Sequence, residues 1–413
     1  MKVTAATAIP AVRAPTVVDL FSGAGGMAEG FRQAGYAIRS GSDIDAAAAE
    51  TFIRNFPEAV YFQGDIADLS GRRILARVEQ QAGELDCLIG GPPCQAFSYN
   101  NHLRTTRGAV AGLFREYLRL VAELRPKFIV MENVPGILSI GNGRVVGEIA
   151  SSLGVLGYEA TARIVYAEDF GVPQERRRVI FIASRIGLPP DIFPPGTHGP
   201  APKPESNELI HRWERSLDRE TRKLVRVWSA IGDLPEEPCP FEKDFEPTGY
   251  RTRAWSEFQR YARNGTPGVL NHFSSQIHRK LLTRIRWVPQ GGSWRDIPRR
   301  LLPDGMKRAN KSDHTKRYGR LAKEDLACTI LTKCDPHWGC YVHPEQERVL
   351  TVREAARLQS FPDRFTFTGT RIEQYRQVGN SVPPLLARGI AQAIFRHVAP
   401  PQAGVTPTLQ QCA

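Results

Sequence analysis

The sequence predicts an α/β protein: a doubly wound, mostly parallel sheet with helices on both faces, joined to a second, smaller domain of irregular build. Three observations predict it. First, from Thr16 to about Ser184 the short apolar runs TVVDLF, LDCLIG, KFIVME and RVIFIAS alternate with amphipathic stretches at 45–56, 72–81 and 113–124. Alternating strand and helix patterns build parallel sheets covered on both sides. Second, the stretch 186–205, IGLPPDIFPPGTHGPAPKPE, is dense in proline and glycine and reads as a boundary. Third, from about 206 to 344 the alternation is lost and arginine, tryptophan and glycine dominate.

Each element has its own signal. In 113–124, Leu113, Tyr117, Leu120, Val121 and Leu124 share one helical face. Order returns at Arg348: Thr351-Val-Arg-Glu354 is a capping box that opens a helix through Leu358. The stretch 377–384 reads as a turn, with Pro383 and Pro384 placed for the first positions of a final helix to about Val398. The division is therefore 1–185, completed by 370–413, for the sheet domain, and 186–369 for the second domain and its hinge. The two ends, before Thr16 and after Val398, read as loose tails.

Bulk properties narrow the function. The net charge of +12 and pI near 9.5 favour a polyanionic partner, nucleic acid or an anionic surface. The 7 cysteines are odd in number and irregular in spacing, which speaks against a disulfide scaffold and for a reducing cytoplasm. Cys328, Cys334 and Cys340, with His337 and His343, match no zinc spacing, so no metal is expected. No run of eighteen apolar residues spans a membrane, and the first fifteen residues lack a signal-peptide core.

In an open parallel sheet, ligands lie beyond the carboxyl ends of the strands, and the informative motifs fall there. The first strand ends in Asp19-Leu-Phe-Ser-Gly-Ala-Gly-Gly-Met27. Gly23, Gly25 and Gly26 allow a ligand close to the backbone but do not form the dinucleotide pattern, and no Walker lysine follows. The second strand ends at Asp43-Ile44-Asp45, where an acid can accept from ribose hydroxyls, and the third at Gly64-Asp65-Ile66, where one can accept from an adenine amino group. A lone acid at such a place is more often a helix N-cap. Three sites in register point to an adenosine-bearing cofactor without a pyrophosphate, and S-adenosyl-L-methionine fits. The fourth strand ends in Gly90-Gly-Pro-Pro-Cys-Gln-Ala-Phe-Ser98, with Pro92 and Pro93 stiffening the approach to Cys94; the fifth ends in Met131-Glu-Asn-Val-Pro-Gly136.

These blocks, in this order, resemble the DNA cytosine-5 methyltransferases. The resemblance continues through Gln174-Glu-Arg-Arg-Arg178, Leu350-Thr-Val-Arg-Glu-Ala-Ala-Arg-Leu-Gln-Ser-Phe-Pro362 and Gln377-Val-Gly-Asn-Ser-Val-Pro383, so it brackets almost the whole chain. It implies a Rossmann-like S-adenosyl-L-methionine-dependent methyltransferase fold, with the irregular region as target-recognition domain. It also implies Cys94 as the nucleophile that adds to cytosine carbon 6 and makes carbon 5 enamine-like. Glu132 would donate a proton at ring nitrogen 3, which requires the acid form and hence a carboxyl raised by burial. Arg178 would bind the ring carbonyl oxygen, and Arg176 would support the catalytic loop or a phosphate. Arg177 alternates to the other side of the strand and reads as solvated.

For the cofactor the resemblance implies Phe21 against the adenine, the turn of Gly23, Gly25 and Gly26 below it, and Asp43 with Ile44 at the ribose. Asp65 and Ile66 would meet the adenine edge, Pro93 would line the pocket, and Asn380 and Ser381 would lie near the methionine end. A paired base cannot present carbon 6 to a thiolate, so the target must be flipped out. The loop 94–112, with His102, Arg104 and Arg107, would close over phosphates. The recognition region carries Arg251, Arg253, Arg279, Arg284, Arg286, Arg295, Arg299, Arg300, Arg308, Arg317 and Arg320, with Trp287, Trp294 and the Gly291-Gly292 pair for the major groove. Arginine's bidentate fit to guanine favours a G·C-rich target, although many of these side chains would touch backbone only.

The expected partner is double-stranded DNA, with a restriction endonuclease as functional partner, the protein being a cytoplasmic monomer of restriction–modification type. A tRNA-methylating relative is the alternative substrate class, but its Cys-Phe-Thr signature is missing. A catalytically dead DNA-binding relative would not need Cys94, Glu132 and Arg178 together.

Overall fold

The apolar runs form one sheet. The computed structural model describes residues 13–93, 109–199, 223–274 and 277–398. Its strands are β1 (Thr16–Leu20), β2 (Ala37–Asp43), β3 (Val60–Gln63), β4 (Cys87–Gly90), β5 (Phe128–Asn133), β6 (Glu159–Tyr166) and β7 (Arg177–Ser184), in the order β3-β2-β1-β4-β5-β7-β6. Neighbours from β3 to β5 pair in parallel, while β7 runs antiparallel between β5 and β6. Alternate residues serve two cores. Val17, Cys87, Ile89, Phe128 and Val130 face one, and Val18, Leu20, Leu88, Ile129 and Met131 face the other. Burial on both faces explains why these runs are continuously apolar.

Crossover helices α1 (Gly26–Gln33), α2 (Ala46–Asn55), α3 (Gly71–Val78), α4 (Ala109–Leu124) and α5 (Arg144–Val155) cover the sheet. The amphipathic face read in 113–124 packs as expected: Tyr117, Leu120, Val121 and Leu124 are buried in the second core. The later elements are α6 (Val227–Ile231), α7 (Glu257–Arg263), α8 (Arg279–Ile285), α9 (Asp304–Lys307), β8 (Gly319–Arg320), β9 (Cys340–Val342), α10 (Val352–Leu358), α11 (Arg371–Asn380) and α12 (Pro384–Val398). Helix α12 returns to pack on α1. A Cβ on Gly30 would come within 2.5 Å of Ala387 and of the Pro384 carbonyl, so only glycine permits this approach. The Thr351 capping box forms as read, with Glu354 N donating to Thr351 Oγ1 (3.1 Å) and Thr351 N to Glu354 Oε2 (2.8 Å). The turn expected over 377–384 is shorter, because α11 runs on through Asn380.

The main core draws on residues from both sides of the proline-rich stretch. Ile192, Val227, Phe258, Tyr341, Leu350 and Phe361 share one core with Val17 and Ile38 of the sheet. A separate core is confined to Val288, Trp294, Ile297, Leu302, Met306 and Tyr318. Buried charges tie α10 to the residues after α6: Arg357 reaches Asp233 and Asp363 at 2.6 Å each, all three side chains fully buried.

Candidate active site

Strand register gathers the motifs. Leu20 lies opposite Ser42 and Gly90, Asp43 opposite Gln63, and Gly90 opposite Met131, so the glycine turn, the Asp43 and Asp65 segments, the Gly-Pro-Pro loop and Glu132 share one sheet edge. Sheet order reverses between β1 and β4, the switch point where such sheets open a crevice. Arg178 reaches the same edge from the other direction, because β7 is antiparallel and pairs Asn133 with Val179.

The turn after β1 is shaped for a ligand. Phe21 (φ 54°), Gly23 (φ 51°) and Gly25 (φ 93°) all take left-handed backbone, which costs a side-chain-bearing residue such as Phe21 about 1 kcal/mol or more. A Cβ on Gly23 would meet nothing within 4 Å, whereas one on Gly26 would strike the Val382 carbonyl (2.5 Å) and Ser381 Cβ (2.9 Å). Asn380 and Ser381 thus sit beside the glycine turn, Asn380 exposed and Ser381 donating its hydroxyl to the Gln377 carbonyl (2.6 Å). Asp43 accepts from Gly23 N (2.9 Å) and Asp45 N (3.0 Å), so it also organises the turn. Asp45 is the N-cap of α2, and Asp65 caps the short turn at Ile66 by accepting from Ala67 N (2.9 Å). Ile44 is 69% exposed at this edge, Ile66 is buried and Pro93 is exposed.

Asp19, in the strand that leads into the glycine turn, joins these residues. It is buried behind the turn, and its Oδ2 has no hydrogen-bond partner among the described residues. Burial, with Asp43 nearby, pushes its carboxyl well above the ordinary range, and burial raises Asp43 as well. The signal was an acid inside an apolar strand run. A buried and a half-buried acid beside an open glycine turn suit a cationic ligand, and S-adenosyl-L-methionine carries a sulfonium and an ammonium. The residues present fit it.

On the other side of the crevice, Arg178 Nε lies 2.5 Å from Glu132 Oε1, and both side chains are nearly buried. A Cβ on Gly91 would stand 3.3 Å from Glu132 Oε2, so the carboxylate lies against the Gly-Pro-Pro loop. Asn133 holds that loop by donating to the Pro92 carbonyl (3.2 Å). The Arg178 guanidinium is thus the charged group set directly against Glu132. Cys94 and the loop residues His102, Arg104 and Arg107 lie outside the described residues.

Arg176 turns inward. Its guanidinium is buried and donates to the carbonyls of Ile330 (3.0 Å), Gly379 (2.9 Å) and Ser381 (3.0 Å). It ties the residue before β7 to residues 330 and 379–381. Gln174, which sequence reasoning passed over, does similar work, bonding Leu358 O, Gln359 Oε1 and Ile330 N. Arg177 is exposed, with its guanidinium 5.3 Å from the Tyr166 ring.

The irregular region also sorts itself. Trp294 is core, not a groove contact, and Arg320 is buried, donating to the carbonyls of Val288, His343, Gln346 and Ile285. Arg284 bonds the Leu301 carbonyl and Arg286 pairs with Glu347. Arg251, Arg253, Arg279, Arg295, Arg299, Arg300, Arg308 and Trp287 are exposed. Among the described residues no group of three or more His, Cys, Asp or Glu is placed to hold a metal, and no helix is long and apolar enough to cross a membrane.

Sheet order, switch-point glycine turn and strand-end acids define a Rossmann-like methyltransferase fold. The chain belongs to the C-5 cytosine-specific DNA methylases: the family's model matches residues 15–396. It is 30% identical to the type II methyltransferase M.AgeI of Thalassovita gelatinovora over 91% of this chain and 98% of that one. It is 32% identical to M1.HphI of Haemophilus parahaemolyticus over 92% and 87%. Among solved structures, an E. coli prophage-encoded protein described as a DNA modification methyltransferase superposes with a TM-score of 0.69 at 24% identity, covering 93% of this chain and 99% of that one. The protein is a DNA (cytosine-5)-methyltransferase that uses S-adenosyl-L-methionine.

Proposed function

We propose that this enzyme methylates a cytosine within a specific double-stranded DNA sequence through a covalent adduct at Cys94. The observation that carries the reading is the Glu132–Arg178 pair, set beside the loop that leads into Cys94. A flipped cytosine entering between them would give its carbonyl oxygen to Arg178, and Glu132, released from the guanidinium, would take a proton and hold it at ring nitrogen 3. The Cys94 thiolate then adds to carbon 6; the ring's electrons move onto carbon 5, and nitrogen 3 is held protonated. When bound, S-adenosyl-L-methionine supplies an electrophilic methyl group. Phe21, the Gly23–Gly26 turn, Asp43, Ile44, Asp65, Ile66, Pro93, Asn380 and Ser381 would hold it, and Asp19 would balance its charge. A base, a role a water molecule can fill, takes the carbon 5 proton; the electron pair left behind re-forms the ring double bond and expels the Cys94 thiolate.

The small core around Trp294 and the exposed arginines near it would read the sequence. Type II relatives among its homologues support a role in protecting DNA from a cognate restriction endonuclease; the enzyme would act as a cytoplasmic monomer on the nucleoid. Duplex DNA bearing 5-fluorocytosine at the target tests the chemistry, because fluorine cannot leave as a proton does. The native enzyme should be trapped as a stable adduct and Cys94→Ala should not. An active native enzyme that forms no adduct removes Cys94 from the reaction.

A further inference from the structure

Helix α4 carries an arginine with no part in the chemistry above. Arg119 Nε pairs with Glu116 (2.7 Å) and Nη1 with Glu123 (2.8 Å), one turn back and one turn on along the same helix. Such pairs on a helix face are ordinary and contribute little by themselves. Here they fix the plane of the guanidinium, and the remaining nitrogen reaches off the helix. Nη2 donates to the carbonyls of Ile66 (3.0 Å) and Leu69 (2.8 Å), the two ends of the short turn that follows Asp65.

Glu123 holds the next residues as well. Its Oε2 accepts from Gly71 N, and a Cβ on Gly71 would lie 2.6 Å from Glu123 Cβ, so α3 starts in direct contact with α4. Beneath these polar contacts, Ile66 and Leu69 are buried in the same core as Tyr117, Leu120 and Val121 of α4. Helix α4 therefore anchors the chain from 66 to 71. On the other side Gly64 N donates to the Asp43 carbonyl (3.1 Å), which anchors the chain to the end of β2. Asp65 stands between the two anchors, exposed, with Oδ1 accepting from Ala67 N. Carbonyls at the end of a turn need donors, and water would satisfy them. A planar guanidinium held by two carboxylates does more, because it fixes where those carbonyls lie.

We propose that Arg119 is a positioning residue for the adenine of S-adenosyl-L-methionine: by holding Ile66 and Leu69 it sets Asp65 to accept from the amino group of the base, and so selects adenine over a base that lacks this group. The inference rests on the reading above that Asp65 and Ile66 meet the adenine edge. Calorimetric titration of the full-length enzyme would compare S-adenosyl-L-homocysteine with S-inosyl-L-homocysteine, in which an oxygen replaces the amino group. The native enzyme should bind the adenosyl compound about tenfold more tightly or better, the scale of one hydrogen bond to a charged group. Arg119→Met should remove most of that ratio, chiefly by weakening the adenosyl compound. Glu123→Gln, which loosens the guanidinium without removing it, should narrow the ratio less, and it decides the question if Arg119→Met does not fold. At saturating S-adenosyl-L-methionine the kcat of both variants should stay near native while KM for the cofactor rises. A native ratio in Arg119→Met, or in Glu123→Gln where that variant decides, overturns the proposal. So does an equal loss of affinity for both compounds, which would make Arg119 a purely structural residue. A native enzyme that binds the two compounds alike would instead overturn the reading of Asp65 beneath it.

Discussion

At the scale of single residues, three side chains from one short segment carry three different loads. Arg176, Arg177 and Arg178 are consecutive, yet one is buried under three carbonyls, one is exposed and one faces Glu132. Removing Arg176 would strand those carbonyls without a donor, and each buried unmet acceptor costs about 1–3 kcal/mol. Arg176→Met should therefore lower unfolding stability by about 3 kcal/mol or more in urea titrations, while Arg178→Met should leave stability near native and lose turnover. Equal losses of stability in both variants would contradict this division. Glu132→Gln keeps the shape of the side chain and removes its acid–base capacity. Its kcat should fall about a hundredfold, the usual scale for such help, with S-adenosyl-L-methionine affinity little changed. Near-native turnover would take Glu132 out of the mechanism.

At the scale of elements, the start of α10 concentrates buried ionisable groups. Glu354 closes the capping box and pairs with Arg348 at 2.7 Å, while His272 and His343 pack nearby. Burial opposes charge on Glu354, but Arg348 overcomes it and holds the carboxyl well below the ordinary range. Burial pushes both histidines down to about 4. An unfolded imidazole titrates near 6.5, so between these values the unfolded chain binds protons that the folded chain does not. Their contribution is complete above about 6.5 and is lost as pH falls toward 4, by at most about 1.4 kcal/mol per pH unit for each histidine. Urea unfolding at pH 7.5, 6 and 5 should show this decline, and His272→Gln should make it shallower. Identical slopes in native and variant protein would sink the assignment. Both histidines sit in the irregular region, where no periodicity marked them as buried.

At the scale of the whole molecule, the proposed reading sets chemistry at the sheet edge and recognition on the small core. Among the described residues, the candidates for bond making or cofactor binding lie on the sheet, on the loops that follow its strands or at 380–381, and none lies in the core around Trp294. Exchanging 186–343 for the counterpart of a relative with another specificity should change the methylated sequence and leave carbon 5 as the target atom. Methylome sequencing of cells expressing the chimera would read both outcomes. A folded, active chimera that keeps its original sequence would refute the division. Because the exchanged span contributes Val227, Phe258 and Tyr341 to the main core, a graft restricted to about 279–318 should fold more readily.

What the sequence determined by itself was everything set by local chemistry: strand runs, the glycine turn, the Thr351 capping box, the proline-stiffened approach to Cys94 and the order of the motif blocks. These depend on neighbours a few residues away, and such patterns survive in one dimension. Only the tertiary structure decided which side chains meet. Glu132 and Arg178 are far apart in sequence, and their pairing follows from β7 running antiparallel beside β5. Arg176 and Arg320 look like surface cations in a basic run, and Trp294 looks like a groove contact. Each is buried because segments distant in sequence cover it, and a buried guanidinium persists where carbonyls from several segments converge on it. Composition changes near 186, yet residues on both sides of that point share the main core, because apolar surface is buried wherever the chain returns to the sheet.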